Sequence, residues 1–319
     1  MNIRPLVIYH DHCTDGFGAA FAAWRRFGDD ADYVPASYGG AINAPDWIDL
    51  VDGRDMYILD FSYPRPVMEL ALAYASNVVW LDHHKTAFEM WCGKYERGMK
   101  AAQFEHRLDG ANPVACHIEL DDTRSGALIA WNYFHPGTDI PLAIQHIDDR
   151  DRWQFKMAGS KEFHAALASY KPWSFDKWYE LLNDEHYNTL LTEGTAIRRA
   201  HEQNVQAIVN GARMPVEIKW WDINNTTKNS MSTKGLAATC PPYAASDVGH
   251  ELANQSGTFG LCWYMSRDGK IRCSLRSNGD YDVSAVAKAF GGGGHKNAAG
   301  FETDTTTLLG WLANTQGEA

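Results

Sequence analysis

The stretch that most constrains this chain is VVWLDHHKTAFE, residues 78–89. Its apolar start reads as a buried strand. The strand stops abruptly at Asp82, His83 and His84, three consecutive side chains able to ligate a metal. An open α/β sheet gathers its chemistry at the carboxyl ends of its strands. A polar triplet there also suits a helix cap, so the rest of the chain decides between the two.

The chain before it repeats the pattern. LVIYH (6–10) reads as a first strand, and GFGAAFAAWRRFG (16–28) as a helix that Gly28 closes. ADYVPAS (31–37) and DMYILDF (55–61) are further strands, and the segment after the latter starts a helix near Pro66. Residues 89–114 are less periodic and read as helix and loop. Residues 121–137 form a helix that Thr123 or Ser125 caps, and another helix or short segment leads into IDDRDRWQF (147–155). Strand, helix, strand at this pace implies βα crossovers and a parallel sheet. Residues 175–210 have helical spacing and serve as a bridge.

Beyond 210 the texture changes. PVEIKWWDIN, KGLAATCPP, NAAGFE and TFGLCWYMSRDGKIRCSLRS read as strands, the last a hairpin turning at Arg267-Asp268-Gly269. Residues 245–255 and 282–291 read as helices. Trp220 and Trp221 fall on opposite faces of their strand, and Trp153 anchors its loop by packing. The expected architecture is α/β. A parallel-sheet domain (1–190) is joined by a helical linker (191–212) to a smaller mixed-sheet α/β (α+β) domain (213–319).

The formal charge of −11 argues against a broad duplex-binding surface, which needs clustered Lys and Arg. It leaves room for small anionic substrates, since bound cations locally invert an acidic field. The six cysteines have no CxxC spacing and read as reduced thiols of a cytoplasmic protein. No apolar run approaches the roughly 20 residues of a membrane span. The N-terminus enters a strand without the long apolar region of a signal peptide.

Four acidic or histidine-rich sites fall at or near element ends of the first domain: residues 10–15, Asp60, residues 82–84 and residues 148–151. Parallel strands would bring His10, Asp60 and Asp82 onto one rim. Mixed Asp/His donors suit Mn²⁺ or Zn²⁺ better than Ca²⁺. Two ions about 3.5–4 Å apart need a bridging carboxylate, and Asp60, alone on a core strand between the other clusters, is the first choice.

The combination HDHCTDGFGAA, ILDFSYP, LDHHK and IDDRDRW, followed far downstream by GGGGHKNAAG, resembles the DHH phosphoesterase superfamily with a DHHA1-type C-terminal domain. The match runs from His10 to Gly300. The resemblance implies a Mn²⁺-dependent hydrolase with one or two ions, Zn²⁺ or Mg²⁺ being alternatives. It implies small phosphate-bearing nucleotides or short single-stranded oligonucleotides as substrates, bound between the domains. It also implies metal ligands at His10, Asp15, Asp60, His83 and Asp149, with Asp11, His12, Cys13 and Asp151 as rivals. His84 is implied as the phosphate contact or leaving-group partner, and Asp82 as the group that orients a histidine. The first motif departs from the family's His-x-Asp-x-Asp, because Cys13 stands where an aspartate is usual.

Independently of family, Gly292, Gly293 and Gly294 permit close backbone approach and an anion-holding nest beside His295 and Lys296. Arg272 and Arg276 share one strand face and suit phosphate. A phosphoesterase of nanoRNase or nucleoside-bisphosphate phosphatase type, with exonuclease action on short strands, is therefore the leading expectation. A polyphosphate or pyrophosphate hydrolase is the alternative, as is a degenerate nucleotide-binding regulator. Long duplex DNA and membranes are not expected partners, and a homodimer is compatible with the sequence.

Overall fold

The computed structural model describes residues 3–37, 44–106, 114–221 and 230–313. They divide into two compact units, Met1–Arg198 and Arg199–Ala319. In the first, β1 (Leu6–His10), α1 (Thr14–Phe27), β2 (Asp32–Ala36), α2 (Ala44–Val51), β3 (Asp55–Leu59), α3 (Arg65–Tyr74), β4 (Asn77–Asp82) and α4 (Lys85–Cys92) follow one another. Then come β5 (Lys100–His106), β6 (Val114–Asp121), α5 (Gly126–Phe134), α6 (Leu142–Asp151), α7 (Ser160–Ser169) and α8 (Phe175–Leu181). Helix α9 (Tyr187–Ala212) runs on through the boundary.

The first sheet has the order β2-β1-β3-β4-β6-β5, all neighbours parallel except the β5–β6 pair. Its strands are apolar on both faces because both faces are covered. Leu6, Ile8, Met56, Ile58, Val78 and Trp80 enter one buried core. Val7, Leu59, Val79 and Leu81 enter another with α1, α5 and α6. Each such side chain, fully buried, contributes about 1.5–3 kcal/mol. Pairing of Tyr9 with Leu59, and of Leu59 with Leu81, fixes the register. The next residue on each strand path, His10, Asp60 and Asp82, therefore emerges at one level of the carboxyl rim.

The second unit holds β7 (Met214–Trp221), β8 (Ser230–Thr239), α10 (Ala245–Ser256), β9 (Phe259–Met265), β10 (Ile271–Ser277), α11 (Val283–Ala289), β11 (Gly293–His295), β12 (Ala298–Thr303) and α12 (Thr305–Ala313). Its sheet order is β11-β12-β10-β9-β8-β7, with only β8 and β9 parallel. The expected pairing of a mostly parallel domain with a mixed-sheet α+β domain is thus what the chain forms. Trp220 packs on the second unit's core, and the side chain of Trp221 lies outside the described residues. All six cysteines are free thiols. Among the described residues no helix is long and apolar enough to cross a membrane.

The segment read as helix and loop departs most from expectation. It carries β5, and VACHIELD beyond it forms β6, paired in parallel with β4. Cys116, Ile118 and Leu120 alternate into the core there, a half-buried period-two pattern that His117 and Glu119 disguise. Helices α2, α7 and α12 were also not foreseen.

Asp121, at the end of β6, is fully buried and ties this region together. It accepts from Thr123 N at 2.8 Å, Thr123 Oγ1 at 2.5 Å, Arg124 Nε at 2.6 Å and Lys100 Nζ at 2.9 Å. Burial alone would raise its carboxyl, but Thr123 and Lys100 outweigh it and bring it down to about 2. A depressed folded-state pKa stabilises above the ordinary carboxylate range, and that stability is lost as pH falls. We expect Asp121→Asn to cost about 2 kcal/mol at pH 6. In denaturant unfolding series, the gap to wild type should close as pH drops through 4 toward 2.

Candidate metal centre

Asp60 sits one residue beyond β3 with φ at 54°, and its amide donates to Leu81 O at 2.9 Å. A non-glycine residue there costs backbone energy, and such strain persists where surrounding structure over-determines it. Its carboxylate is 1% exposed, and neither oxygen has a hydrogen-bond partner of acceptable geometry. His83 Nε2 stands 3.0 Å from Oδ1 and His10 Nδ1 3.5 Å from Oδ2. Burial would raise this carboxyl, yet His10 and His83 hold it below the ordinary range.

Three carboxylates converge on His83 Nε2: Asp60 at 3.0 Å, Asp15 at 3.5 Å and Asp151 at 3.6 Å. Burial would lower His83, but these carboxylates, Asp60 first, raise it well above its usual value. Burial and the charges of Asp60 and Asp151 push Asp15 well up. Burial, countered by His83 and reinforced by Asp60, also raises Asp151. Each of these shifts comes from charges crowded into one buried cluster.

Two overlapping donor sets come from this arrangement, His10–Asp60–His84 and Asp15–Asp60–His83, each with ligand atoms within 4.8 Å of one another. Asp60 belongs to both. A buried carboxylate without hydrogen bonds, shared between two Asp/His sets, fits divalent ions of the Mn²⁺ or Zn²⁺ kind.

Other side chains brace the cluster. Asp15 accepts from the amides of Gly126 at 2.7 Å and Ala127 at 2.8 Å, at the start of α5. Ser125 caps that helix from its side chain, and its own amide donates to Asp148 at 2.7 Å. Asp82 Oδ1 accepts from the amides of His83 (2.7 Å) and His84 (3.1 Å), and stands 2.7 Å from His84 Nδ1. Ser62 donates to Asp82 Oδ2. Asp82 is therefore saturated by its neighbours and fixes the His84 ring. Burial would lower His84, but Asp82 raises it.

Asp149 was the expected fourth ligand, and the structure gives it another occupation. Its carboxylate accepts from Lys156 N (2.8 Å), Met157 N (3.1 Å) and Ser160 Oγ (2.5 Å). Asp151, the rival, is the one that reaches the cluster. Asp11 and His12 turn aside and pair with each other, Nε2 to Oδ2 at 3.1 Å, with His12 exposed. Cys13 precedes α1, where burial and then the charges of Asp60, Asp151 and Asp15 push its thiol well up.

In the second unit, Arg272 is ion-paired with Asp268 at 3.4 Å and with Glu302. Arg276 donates to Ser246 Oγ and Leu275 O, both at 2.8 Å. Lys296 pairs with Asp280 at 2.8 Å. The expected nest is not free: the amides of Gly291 and Gly292 donate to Lys288 O and Ala287 O, closing α11. Gly293, Gly294 and His295 form β11 against β12. Gly294 has φ at 138°, and a Cβ there would meet Ala298 O at 2.5 Å.

A family model for the DHHA1 domain matches residues 244–310. That match identifies residues 244–310 as a DHHA1 domain. The whole chain is 27% identical over 310 residues to an uncharacterized protein of Acanthamoeba polyphaga mimivirus, covering 92% of this chain and 66% of that protein. The chain therefore spans about two thirds of that relative's length. Among solved structures it resembles PggH, a pGpG-specific phosphodiesterase of Vibrio cholerae, with a TM-score of 0.42 and 13% identity, covering 95% of this chain and 94% of the other. It also resembles exonuclease RecJ bound to manganese, with a TM-score of 0.46 and 14% identity, covering 97% and 88%. Likeness this low transfers no residue role.

One residue that sequence reasoning passed over controls the centre. A Cβ at Gly126 would lie 2.4 Å from Asp60 Cβ and 2.7 Å from its Oδ1. Its only sequence signal is a glycine directly after the Ser125 cap. A Cβ–Cβ contact that short cannot be relieved by turning the Asp60 side chain, so one backbone must shift and the carboxylate is displaced with it. We expect Gly126→Ala to weaken Mn²⁺ binding at least about tenfold, or about 1.4 kcal/mol, by calorimetry, while circular dichroism keeps the native spectrum.

Proposed function

We propose that this protein is a metal-dependent phosphoesterase acting on short oligonucleotides or small nucleotide phosphates. The observation that carries the proposal is the buried Asp60 carboxylate, without hydrogen bonds and common to two Asp/His donor sets. Asp60, Asp15, His83 and Asp151 would hold one divalent ion, and Asp60 with His10 a second. When bound, such ions neutralise phosphoryl charge and acidify water. Mn²⁺ suits the donors, with Zn²⁺ the runner-up.

The protein's own groups do the rest. Asp60, at its strained backbone position, keeps its lone pairs for cations because no donor satisfies them. Asp15 is held by the α5 amides, so its position is set before any ion arrives. Asp82 takes the Nδ1 side of His84 and turns Nε2 toward the opposite edge of the ring. Held at Nδ1 by Asp82, His84 would offer Nε2–H to a phosphate oxygen or to the leaving oxygen. The chain's net charge of −11 favours substrates with few phosphates over long polyanions.

A panel of di- to pentanucleotides, long single-stranded DNA, nucleoside bisphosphate and polyphosphate, each with Mn²⁺, tests the proposal. Turnover should be highest on the shortest oligonucleotides or the bisphosphate, and Asp60→Asn should lower it by at least about a thousandfold. Equal or faster cleavage of long DNA refutes the substrate class. Retention of rate and metal content in Asp60→Asn refutes the site.

A further inference from the structure

Trp153 and Phe155 follow Asp151 directly, and both have a left-handed backbone, with φ at 55° and 50°. Bulky aromatic residues avoid that region. Neither ring joins the apolar cores on the two faces of the first sheet, and both remain partly exposed. Core packing therefore does not account for the strain.

What holds them is a polar brace. Asp149 O accepts from the amides of Gln154 (2.9 Å) and Phe155 (3.3 Å), while its carboxylate takes those of Lys156 and Met157. Ser160, bonded to that carboxylate, stands 2.8 Å from His146 Nδ1, and His146 Nε2 lies 2.9 Å from Tyr187 Oη. A buried network thus presents two aromatic rings. The rings meet edge to face at 5.0 Å, with the Arg150 guanidinium over one face of Trp153, 4.3 Å from its centroid, and the Lys161 ammonium over one face of Phe155 at 4.6 Å. Phe155 and Lys161 border a cavity of about 310 Å³, within the size range of small-ligand sites.

We propose that Trp153 and Phe155, flanked by Arg150 and Lys161, form a stacking platform for a nucleobase of the substrate. This deepens the phosphoesterase proposal and rests on it. Asp151 Oδ2 lies 3.6 Å from His83 Nε2, and Trp153 is two residues further along the chain. Two residues of chain span at most about 7 Å, so the platform lies on the backbone next to a candidate metal ligand. Stacking on aromatic rings tolerates any base, and the flanking cations add attraction to the base and to its phosphate. The platform would select nucleotides over baseless phosphate esters.

The test compares equilibrium binding of two phosphonate isosteres to the full chain in Mn²⁺. One is the isostere of AMP and the other that of ribose 5-phosphate, with carbon replacing the ester oxygen in each. The AMP isostere should bind about tenfold tighter or more. That ratio should fall near one in Trp153→Leu and be largely kept in Trp153→Phe. A ratio near one in wild type overturns the platform. So does an equal loss of both affinities in Trp153→Leu, which marks a loop-packing role. Neither probe can be hydrolysed, so the ratio reports on stacking even if the chain turns over no phosphodiester.

Discussion

An ionised carboxylate at Asp60, removed from water and given no hydrogen bond, is the constraint on which the first unit depends. Desolvating such a group costs several kcal/mol unless opposite charge surrounds it. Here that charge comes from His83, with His10 Nδ1 3.5 Å from the other oxygen, and the parallel register of β1, β3 and β4 brings those residues together. The same register places Asp82 beside Asp60 without making it a competitor, since Asp82 is consumed by two amides, Ser62 and His84. The sheet thus does two jobs. It buries apolar side chains on both faces, and it presents polar ones in a row at a single edge.

Hydrogen-bond saturation sorts the acidic residues by role. Asp82, Asp148 and Asp149 have their oxygens engaged by donors of the protein and act as braces. Asp15 is intermediate: it accepts two amides of α5 yet still lies 3.5 Å from His83. Asp60 and Asp151 are not engaged in that way. The braces matter because a rigid donor set resists collapse when its charges repel. The raised carboxyls of Asp15 and Asp151 and the raised imidazolium of His83 show how strongly the set repels itself without cations. A divalent ion would offset that repulsion.

The parts legible in the sequence are those where one residue's environment follows from its neighbours. An apolar run ending in Asp60 or Asp82 announces a buried strand and a polar rim, and Gly28 and Ser125 announce helix ends. What stayed hidden depends on phase or on distant partners. Asp149 and Asp151 lie on α6 about 200° apart in helical phase, so only one can face the cluster, and no local signal says which. The glycine run suggested free amides, but those of Gly291 and Gly292 were already spent on the last turn of α11. Gly126 was overlooked because its constraint is Asp60, 66 residues away in sequence. Strand β6 was missed because His117 and Glu119 alternate with its buried positions and dilute its apolar signal.

Strain points to the same place as charge. The described non-glycine residues with positive φ are His12, Asp60, Trp153 and Phe155. The first two lie just beyond the carboxyl ends of β1 and β3, and the last two just beyond the end of α6 that carries Asp151. Relaxed alternatives for four such residues would be easy to reach in loops with no further duty. Backbone strain at Asp60 and Phe155, held by Leu81 O and Asp149 O, belongs to a site whose geometry outranks local comfort. The candidate metal centre and the proposed aromatic platform share one stretch of chain, through Arg150 and Asp151.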